Sequence, residues 1–336
     1  MINLGVFGVG HLGKIHVKCL QMLPEIYRVV GFYDPDDRAA AIAEREFGLT
    51  RFSTIDELLR RCEAVDIVTP TTQHFSVAAA AVSAGKHVFI EKPLTNTLEE
   101  GRQLLDLIEA SSVKVQVGHV ERFNPALLAV EDMKIEPMFI EAHRLATFNP
   151  RGTDVSVVLD LMIHDLDIIL SLVRSEIADI RASGVSVVSE TPDITNVRLE
   201  FVNGCVANLT ASRISMKQMR KIRLFQRDAY LSLDFLDKKA QIIRLFDQPP
   251  VTERGNLLEL ETNTGRKYIH LDMPEIEPGN AIKMELETFA QSIREDRPTR
   301  VTADDGYKAL QTAYRILDTI RDQATQLDVV KNPSQL

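Results

Sequence analysis

Cysteine is scarce in this sequence, and its few cysteines do not form a disulfide pattern. Cys19, Cys62 and Cys205 are far apart, odd in number and never in CxxC spacing. Small secreted domains held by disulfides carry an even number of closely spaced cysteines, so that class is excluded. We expect a reducing compartment, in which the three thiols serve as small core residues.

Basic clusters and long apolar runs are also missing. Lysine and arginine number 39 against 48 aspartate and glutamate, a formal charge of −9, and no basic stretch could follow a phosphate backbone. Nucleic acid is therefore not an expected partner. The opening "MINLGVFGVG" lacks a basic region and is broken by glycines, which does not fit a signal peptide. No run approaches the length of a membrane span, so a cytoplasmic location is expected.

The sequence has the length and the pattern of a two-domain α/β protein. It has 336 residues, 45% of them hydrophobic, without internal repeats or low-complexity tracts. In the first third, short β-rich runs such as "INLGVF", "VDIVTP" and "HVFIEKP" alternate with helical patterns. Continuous apolar strands between helices predict a doubly wound parallel sheet, with ligands at the carboxyl ends of its strands. We assign residues 1–122 to this Rossmann domain.

A glycine-rich turn joins the first predicted strand to the first helix. Gly8, Gly10 and Gly13 in "GVFGVGHLG" spell G-x-G-x-x-G, with His11 and Leu12 opening the helix. The glycines allow a tight turn, a close approach to a pyrophosphate and close helix packing. Asp34 ends the second strand about 20 residues further on, where an acid binds a ribose hydroxyl. The combination predicts NAD binding, and NADP is disfavoured because Asp34 would repel its 2′-phosphate.

Two further strand ends carry polar residues that could face the nicotinamide. A predicted fourth strand ends in Thr69, Pro70 and Thr71, and His74 opens the next helix. These residues could contact the cofactor or merely form a capped proline turn. A predicted fifth strand delivers Glu91 and Lys92 ahead of Pro93. Glu91 is a further cofactor candidate, and Lys92 could steady a developing alkoxide or simply be solvated.

After residue 122 the pattern changes to successive strands. "MFIEAHRLATF", "DIRASGVSVVS", "TNVRLEFVNGCVANLTASR", "KIRLFQRDAYLSLDF" and "AQIIRLFD" read as strands, and two helical patterns close the chain. Asn203-Gly204 between alternating runs predicts a type I′ hairpin and hence a largely antiparallel sheet. Residues 123–336 are assigned to this second, α+β domain.

One helical pattern in the second domain carries a polar stripe. Asp160, His164 and Asp167 stand at i, i+4 and i+7 within "VVLDLMIHDLDIIL", after a plausible N-cap at Thr153 or Asp154. Polar groups among aliphatic residues need partners or a cavity. His164 could act as general base with Asp160 orienting it, the stripe could be an internally bonded structural feature, or Asp160 and His164 could bind a metal. The nucleotide crevice and Lys92 favour catalysis.

Four segments together resemble the Gfo/Idh/MocA family of glucose-fructose oxidoreductase and inositol dehydrogenase: "GVFGVGHLG", "EKP" at Glu91, "GHVERFNP" and "DLMIHDLD". The resemblance spans nearly the whole chain. It implies a Rossmann domain followed by a domain with an open-faced sheet, and oxidation of a sugar or cyclitol hydroxyl with a nicotinamide cofactor. Lys92 matches the motif lysine, and Asp160 and His164 match the motif Asp-x-x-x-His pair. Met162 and Thr71 depart from a common glycine and a common asparagine.

The resemblance also bears on substrate and assembly. The run around Asp160 is most similar to members that act on nucleotide sugars, so a nucleotide-linked amino sugar such as UDP-N-acetylglucosamine is expected, with Arg122, Arg144 and Arg151 as candidate phosphate ligands. A free-sugar or inositol dehydrogenase and a non-catalytic NAD-binding regulator are the alternatives. No metal is expected. An apolar sheet face bearing Val197, Leu199 and Phe201 predicts a homodimer or homotetramer formed through the second-domain sheet.

Overall fold

The structure is a computed structural model that describes residues 1–149, 155–250, 257–263 and 265–331. The chain divides into two compact units, the first made of Met1–Phe123 with Gly279–Gln311, and the second of Asn124–Pro278 with the chain from Thr312. The chain first passes from one unit to the other between Phe123 and Asn124, beside the predicted boundary at residue 122. The return of residues 279–311 to the first unit differs from the predicted division, which gave the whole chain from residue 123 to the second domain.

The first unit alternates strands and helices along the chain. Its strands are β1 (Ile2–Phe7), β2 (Tyr27–Tyr33), β3 (Ala64–Ile67), β4 (His87–Glu91) and β5 (Val115–Gly118). Its helices are α1 (His11–Gln21), α2 (Asp37–Phe47), α3 (Ile55–Leu59), α4 (His74–Ser83) and α5 (Leu98–Glu109). The strands form one parallel sheet in the order β2-β1-β3-β4-β5. Because the order reverses between β1 and β3, a crevice opens beyond their carboxyl ends.

The strands "VDIVTP" and "HVFIEKP" are the third and fourth of this sheet, not the fourth and fifth as predicted. The segment between α2 and β3 supplies only an isolated bridge from Phe32 to Arg51 and the short helix α3. Thr54 caps that helix by accepting a hydrogen bond from the Glu57 N–H, which fixes the segment as helix rather than strand.

Both faces of the parallel sheet are buried, as its apolar runs predict. Phe7, Val88 and Ile90 pack into one apolar cluster, whereas Leu4, Val6 and Phe89 point into a second cluster on the other face. Helix α8 (Ala281–Arg294), returning from the far end of the sequence, adds Leu286, Phe289 and Ala290 to this second cluster. The beginning of α9 (Ala303–Lys331) adds Ala303 to the first cluster.

The second unit is built around a nine-stranded sheet. In chain order its elements are α6 (Pro125–Leu128), β6 (Phe139–Leu145), a π-helix (Val158–Met162), α7 (Ile163–Leu172), β7 (Ile177–Val185), β8 (Ile194–Phe201), β9 (Val206–Ser212), β10 (Met219–Phe225), β11 (Ala229–Asp234), β12 (Lys239–Phe246), β13 (Leu257–Thr262) and β14 (Gly265–Asp272). The sheet order is β13-β14-β12-β11-β10-β6-β9-β8-β7. All pairings among its described strands are antiparallel except that of β6 with β9.

The prediction that Val197, Leu199 and Phe201 form an exposed apolar surface on this sheet is wrong. Val197, Leu199 and Phe201 are at most 3% exposed and belong to the core of the second unit, which also includes Leu166 of α7 and Ile316 of α9. Strand residues alternate between the two faces, so the opposite face carries their polar neighbours Asn196, Arg198 and Glu200. A surface that helices cover within one chain is not free for a second copy.

The hairpin between β8 and β9 forms where predicted, but with a different turn. Phe201 and Cys205 close it through an N–H to carbonyl bond of 2.9 Å, which leaves three residues in the loop. Gly204 has φ +85°, whereas Asn203 is not among the non-glycine residues with positive φ. A type I′ turn needs positive φ at both central residues, so the predicted turn type is wrong. The side chain of Asn203 instead accepts the Cys205 N–H at 3.1 Å.

None of the helices in the described parts of the chain combines the length and the apolar composition needed to cross a bilayer.

Candidate active site

The glycine-rich turn between β1 and α1 has the geometry that its motif predicts. Gly8 has φ +89°, and a Cβ there would lie 2.7 Å from the Val68 carbonyl oxygen. A Cβ on Gly13 would lie 2.1 Å from the carbonyl oxygen of Gly8. Any side chain at either position would collide with backbone. Both glycines are therefore required for the turn to sit against the end of β3.

The N-terminus of α1 fits a phosphate group. Gly10 is its N-cap, makes no side-chain cap, and has no heavy atom within 4 Å of where a Cβ would stand. The first turn, which includes His11 and Leu12, contains no acidic residue, and both of these side chains are exposed. Uncapped N–H groups and the positive end of the helix dipole favour an anion here. The open space beside Gly10 is the cradle that a dinucleotide pyrophosphate needs.

Asp34 follows β2 and ties the glycine-rich turn to that strand. Its carboxylate accepts the Val9 N–H at 2.8 Å and the Asp36 N–H at 2.9 Å, and the residue is 8% exposed. These bonds fix the carboxylate beside the turn, with lone pairs left for ribose hydroxyls. Arg38 lies exposed in the first turn of α2. The position of Asp34 therefore fits NAD.

The segment after β3 divides into exposed and buried positions. Pro70 is exposed, and Thr69 and Thr71 are half-buried, with Thr71 opening a short 3-10 turn. His74 is 1% exposed, and its Nδ1 and Nε2 lie 2.8 Å and 3.0 Å from the carbonyl oxygens of Pro93 and Thr69. Burial lowers its pKa, so the ring is neutral. Because both ring nitrogens face main-chain carbonyls, the predicted contact of this ring with a cofactor is corrected to an internal one.

Lys92 emerges at the end of β4, half-buried, and is joined to Pro93 by a cis peptide bond. Glu91, predicted to contact cofactor, is 7% exposed, and its carboxylate points inward. Oε2 accepts the Lys92 N–H at 3.1 Å, and Oε1 lies 3.1 Å from His16 Nε2. The Glu91 side chain is thus committed to the protein interior, whereas Lys92 stands at the edge where the crevice opens.

A buried charged cluster lies behind Glu91. His16 Nδ1 lies 3.1 Å and 3.2 Å from the two carboxylate oxygens of Asp66, and His16 and Asp66 are both 0% exposed. Burial opposes a charge on His16, but the carboxylates of Asp66 and Glu91 outweigh it and raise the pKa of His16 well above its ordinary value. Burial would raise the pKa of Glu91, yet its bond to His16 lowers it. His16 is therefore an imidazolium between two carboxylates.

Glu285 of α8 completes this cluster. One ring nitrogen of His16 and one carboxylate oxygen from each of Glu91 and Glu285 lie within 4.8 Å of one another. Burial and the charge of Glu91 raise the pKa of Glu285 well above its ordinary value, so this carboxyl is neutral. The sequence interpretation missed the cluster. Its signal was a histidine or a carboxylate inside an apolar run, as at Asp66 in "AVDIV".

The polar stripe of the second unit begins in a π-helix instead of the predicted continuous α-helix. Asp160 lies in the π-helical turn and is half-buried, His164 lies half-buried in the first turn of α7, and Asp167 is 1% exposed. Single π-helical turns occur frequently at functional sites. Met162, at a position where the family often has glycine, is 0% exposed in the core. The predicted N-caps Thr153 and Asp154 lie outside the described residues.

Of the three predicted phosphate ligands, one has a clear structural role. Arg144 and Asp165 are each 3% exposed, and Nε and Nη2 of the arginine donate to the aspartate at 2.7–3.1 Å. This buried pair joins β6 to α7, so the predicted role of Arg144 in phosphate binding is corrected to a structural one. Arg122 is half-buried in the turn after β5, and Arg151 lies outside the described residues.

Comparison with known proteins identifies the family. Residues 2–119 match the profile of the Gfo/Idh/MocA oxidoreductases with an NAD-binding Rossmann fold, and residues 140–230 match their C-terminal domain. The UDP-N-acetylglucosamine 3-dehydrogenase of Acidithiobacillus ferrooxidans is 35% identical over 94% of this chain and 96% of its own. The chain belongs to the Gfo/Idh/MocA family. As the Gfo/Idh/MocA resemblance predicts, it is an NAD-dependent oxidoreductase of the dehydrogenase type, acting on a CH–OH group.

Solved Gfo/Idh/MocA structures share the fold. The structure of the Acidithiobacillus enzyme superposes with a TM-score of 0.84, at 33% identity over 95% of this chain and 97% of that one. Levoglucosan dehydrogenase, solved with NADH and levoglucosan, superposes with a TM-score of 0.80 at 20% identity over 96% and 97% of the two chains.

A second relative is found by sequence. The scyllo-inositol 2-dehydrogenase (NAD(+)) of Bacillus subtilis is 30% identical over 64% of this chain and 68% of its own.

Proposed function

We propose that the protein oxidises a ring hydroxyl of a nucleotide-linked amino sugar, the 3-hydroxyl of UDP-N-acetylglucosamine, to a ketone. The observation that carries the proposal is similarity over almost the full length, in sequence and in fold, to an enzyme named for that reaction. Similarity of this extent includes both units, the first with Lys92 and Arg122 and the second with Asp160 and His164.

The proposed chemistry divides between two side chains. The substrate loses a hydride from carbon and a proton from oxygen, and bound NAD supplies the hydride acceptor. The ammonium group of Lys92 donates a hydrogen bond to the hydroxyl oxygen and stabilises the alkoxide character that develops there. His164 accepts the proton, and Asp160 orients it. The half-buried positions of Lys92 and His164 agree with contact to a ligand.

Phosphate recognition in this proposal rests on Arg122 and Arg151. A diphosphate favours guanidinium groups, which bind its oxygens with two parallel N–H bonds. The turn Val120–Phe123 holds Arg122 directly after β5. Arg144 is left out of the proposal because its guanidinium is already bound to Asp165.

The runner-up function is oxidation of a free sugar or an inositol. It is favoured by the 30% identity to the scyllo-inositol dehydrogenase, which covers 64% of the chain. A non-catalytic NAD-binding regulator is a third function, and any turnover separates it from the other two.

A substrate panel tests the proposal. NADH formation is followed by absorbance with UDP-N-acetylglucosamine, UDP-glucose, N-acetylglucosamine, glucose and myo-inositol at matched concentrations. We expect kcat/KM to be highest for UDP-N-acetylglucosamine, and Arg122→Met to lower kcat/KM for the nucleotide sugars more than for the free sugars. Faster turnover of glucose or inositol would replace the proposal with the runner-up.

We also propose that the protein is a homo-oligomer joined through the outer face of the nine-stranded sheet. Phe139, Phe225 and Tyr230 form a row across three neighbouring strands, with ring centroids 5.9 Å and 4.9 Å apart. They alternate with the buried Ile140, Leu224 and Leu231, so they face away from the core. Light scattering at micromolar concentration should give at least a dimer, and Phe225→Lys should shift it towards monomer. A monomeric unmodified protein would refute this assembly.

A further inference from the structure

The main chain around Lys92 is bound on both sides by buried side chains. The Lys92 N–H donates to Glu91 Oε2 at 3.1 Å. One residue later, the carbonyl oxygen of Pro93 lies 2.8 Å from His74 Nδ1. His74 Nε2 in turn lies 3.0 Å from the Thr69 carbonyl oxygen at the end of the neighbouring strand. The position of the lysine is therefore tied to elements on either side of it.

Glu91 is itself held from two directions. His16 Nε2 lies 3.1 Å from its Oε1, and the other ring nitrogen of His16 binds Asp66, giving a continuous chain from Asp66 to Lys92. Gly118 of β5 pairs with Glu91 of β4 and leaves space for the Glu91 carboxylate, because a Cβ on Gly118 would lie 2.8 Å from Glu91 Oε1. The carboxylate has little room for another position.

Burying these three charged groups lowers the stability of the folded state. An imidazolium and two carboxylates that are 0–7% exposed lose most of their hydration. Apolar residues of similar volume are often as stable or more stable in such places, so stability alone does not account for the network. What the ionic chain does provide is a fixed direction for the backbone at the end of β4, where Lys92 begins.

We propose that His16, acting through Glu91, and His74, acting through Pro93, are positioning residues that hold Lys92 in its reactive place. We call Glu91, His16 and His74 the lysine clamp. The proposal rests on the role of Lys92 under the proposed function. The two histidines do the same task in opposite charge states: His16 is an imidazolium that donates through both nitrogens, and His74 is a neutral ring with one proton to donate.

Paired amide variants test the His16 half of the lysine clamp. Glutamine places its NH₂ near the Nε2 position and can still donate to Glu91, whereas asparagine reaches only the Nδ1 position, beside Asp66. Both variants remove the charge. We expect His16→Asn to lower kcat at least about 10-fold more than His16→Gln, because small displacements of a reacting group cost that much. The KM for NAD and the melting temperature should change equally in the two variants.

His74 is tested in the same way. His74→Asn keeps a donor near Nδ1 for Pro93, and His74→Gln keeps one near Nε2 for Thr69. Here the asparagine variant should retain the higher kcat, which is the reverse of the order at His16. Gly118→Ala crowds the Glu91 carboxylate without replacing any titratable residue, and it should lower kcat with little change in the KM for NAD. These variants keep the test valid where one His16 variant fails to fold.

The outcomes separate the lysine clamp from the function on which it rests. If Lys92→Met keeps full kcat, the role of Lys92 is wrong. If Lys92→Met is inactive but each histidine's pair of variants has equal kcat, the lysine clamp is wrong. Adding His16→Asn to Lys92→Met should not lower the residual kcat further. A stoichiometric divalent metal in the purified protein, lost in Glu285→Gln, would make the cluster a metal site and would also overturn the proposal.

Discussion

At the scale of single residues, Lys92 and His164 are the side chains on which the proposed reaction depends. Positioned proton transfer contributes roughly 10² to 10⁴ in rate. Lys92→Met or His164→Ala should therefore lower kcat by about that factor, with NADH affinity and the melting temperature nearly unchanged. Steady-state kinetics and NADH fluorescence titration measure the two effects. His143→Ala, at a half-buried histidine of β6, is the matched control and should keep full kcat.

Full activity of His164→Ala would remove the base from the mechanism. Loss of NADH binding in either variant would show that the residue serves the cofactor site instead of the chemical step.

Asp34 sets the expected preference between the two nicotinamide cofactors. Its carboxylate is held beside the glycine-rich turn by the N–H groups of Val9 and Asp36. A fixed negative charge binds ribose hydroxyls and repels a 2′-phosphate. NADH should therefore bind much more tightly than NADPH, and Asp34→Ser should narrow the difference. Fluorescence titration with both cofactors measures it, and equal affinities in the unmodified protein would contradict the assignment.

Asp37→Ser is the matched control for this experiment. Like Asp34→Ser, it removes one negative charge, but from the first turn of α2, where the Asp37 side chain is 91% exposed and paired with Arg51. The ratio of NADH to NADPH affinity should stay close to that of the unmodified protein.

At the scale of elements, the Arg144–Asp165 pair joins β6 to α7, the helix that carries His164. Removing one partner leaves a buried charge without compensation, which costs about 3–5 kcal/mol. Arg144→Met should lower the free energy of unfolding by this amount, and Arg144→Met with Asp165→Leu should recover part of it. Chemical denaturation measures the differences. A double variant as unstable as the single one would contradict this account.

An exposed pair serves as the comparison. Arg181 and Asp179 on β7 are 70% and 49% exposed and lie 3.0 Å apart. Arg181→Met should change the free energy of unfolding by less than about 1 kcal/mol, because water screens such pairs.

The helices and strands differ in how well the sequence predicts them. Strands buried on both faces leave continuous apolar runs, so β1, β3 and β4 are visible in the sequence. Strand β13 is exposed at all its positions and leaves no such pattern. The spacing of Asp160 and His164 does not distinguish an α-helix from a π-helical turn. The apolar face of α8 predicts a helix but not which core it enters, so neither the return to the first unit nor the Glu285 contact could be foreseen.

At the scale of the molecule, the buried cluster couples folding to pH. His16 and Glu285 both have folded-state pKa values raised above their ordinary 6.5 and 4.5. The folded protein therefore binds more protons than the unfolded chain, and stability falls as pH rises. The stability that Glu285 contributes is complete below pH 4.5, and the stability that His16 contributes is complete below pH 6.5. Each contribution is lost as the pH rises towards the folded-state pKa of the group. The lowered pKa of Glu91 acts the other way and is lost on acidification.

Glu285→Gln should remove the proton that Glu285 takes up on folding. We expect the melting temperature of this variant, relative to the unmodified protein, to rise as the pH increases above the ordinary pKa of 4.5, since one proton is worth about 1.36 kcal/mol per pH unit. Calorimetry across this range measures it. Glu287→Gln, on the same helix and 3.4 Å from Lys283, is the control and should leave the pH dependence unchanged. Parallel pH profiles for the unmodified protein and Glu285→Gln would show that Glu285 does not take up a proton on folding.

The return of Gly279–Gln311 to the first unit has a consequence for the time course of synthesis. Ribosomes add about 5–20 residues per second, so roughly 8–35 s separate the emergence of β5 from that of α8. During this interval one face of the parallel sheet lacks Leu286 and Phe289, and His16 lacks its neighbour Glu285. The cofactor-binding unit is thus first in sequence but is completed late, and a nascent chain stopped at residue 123 should remain sensitive to protease.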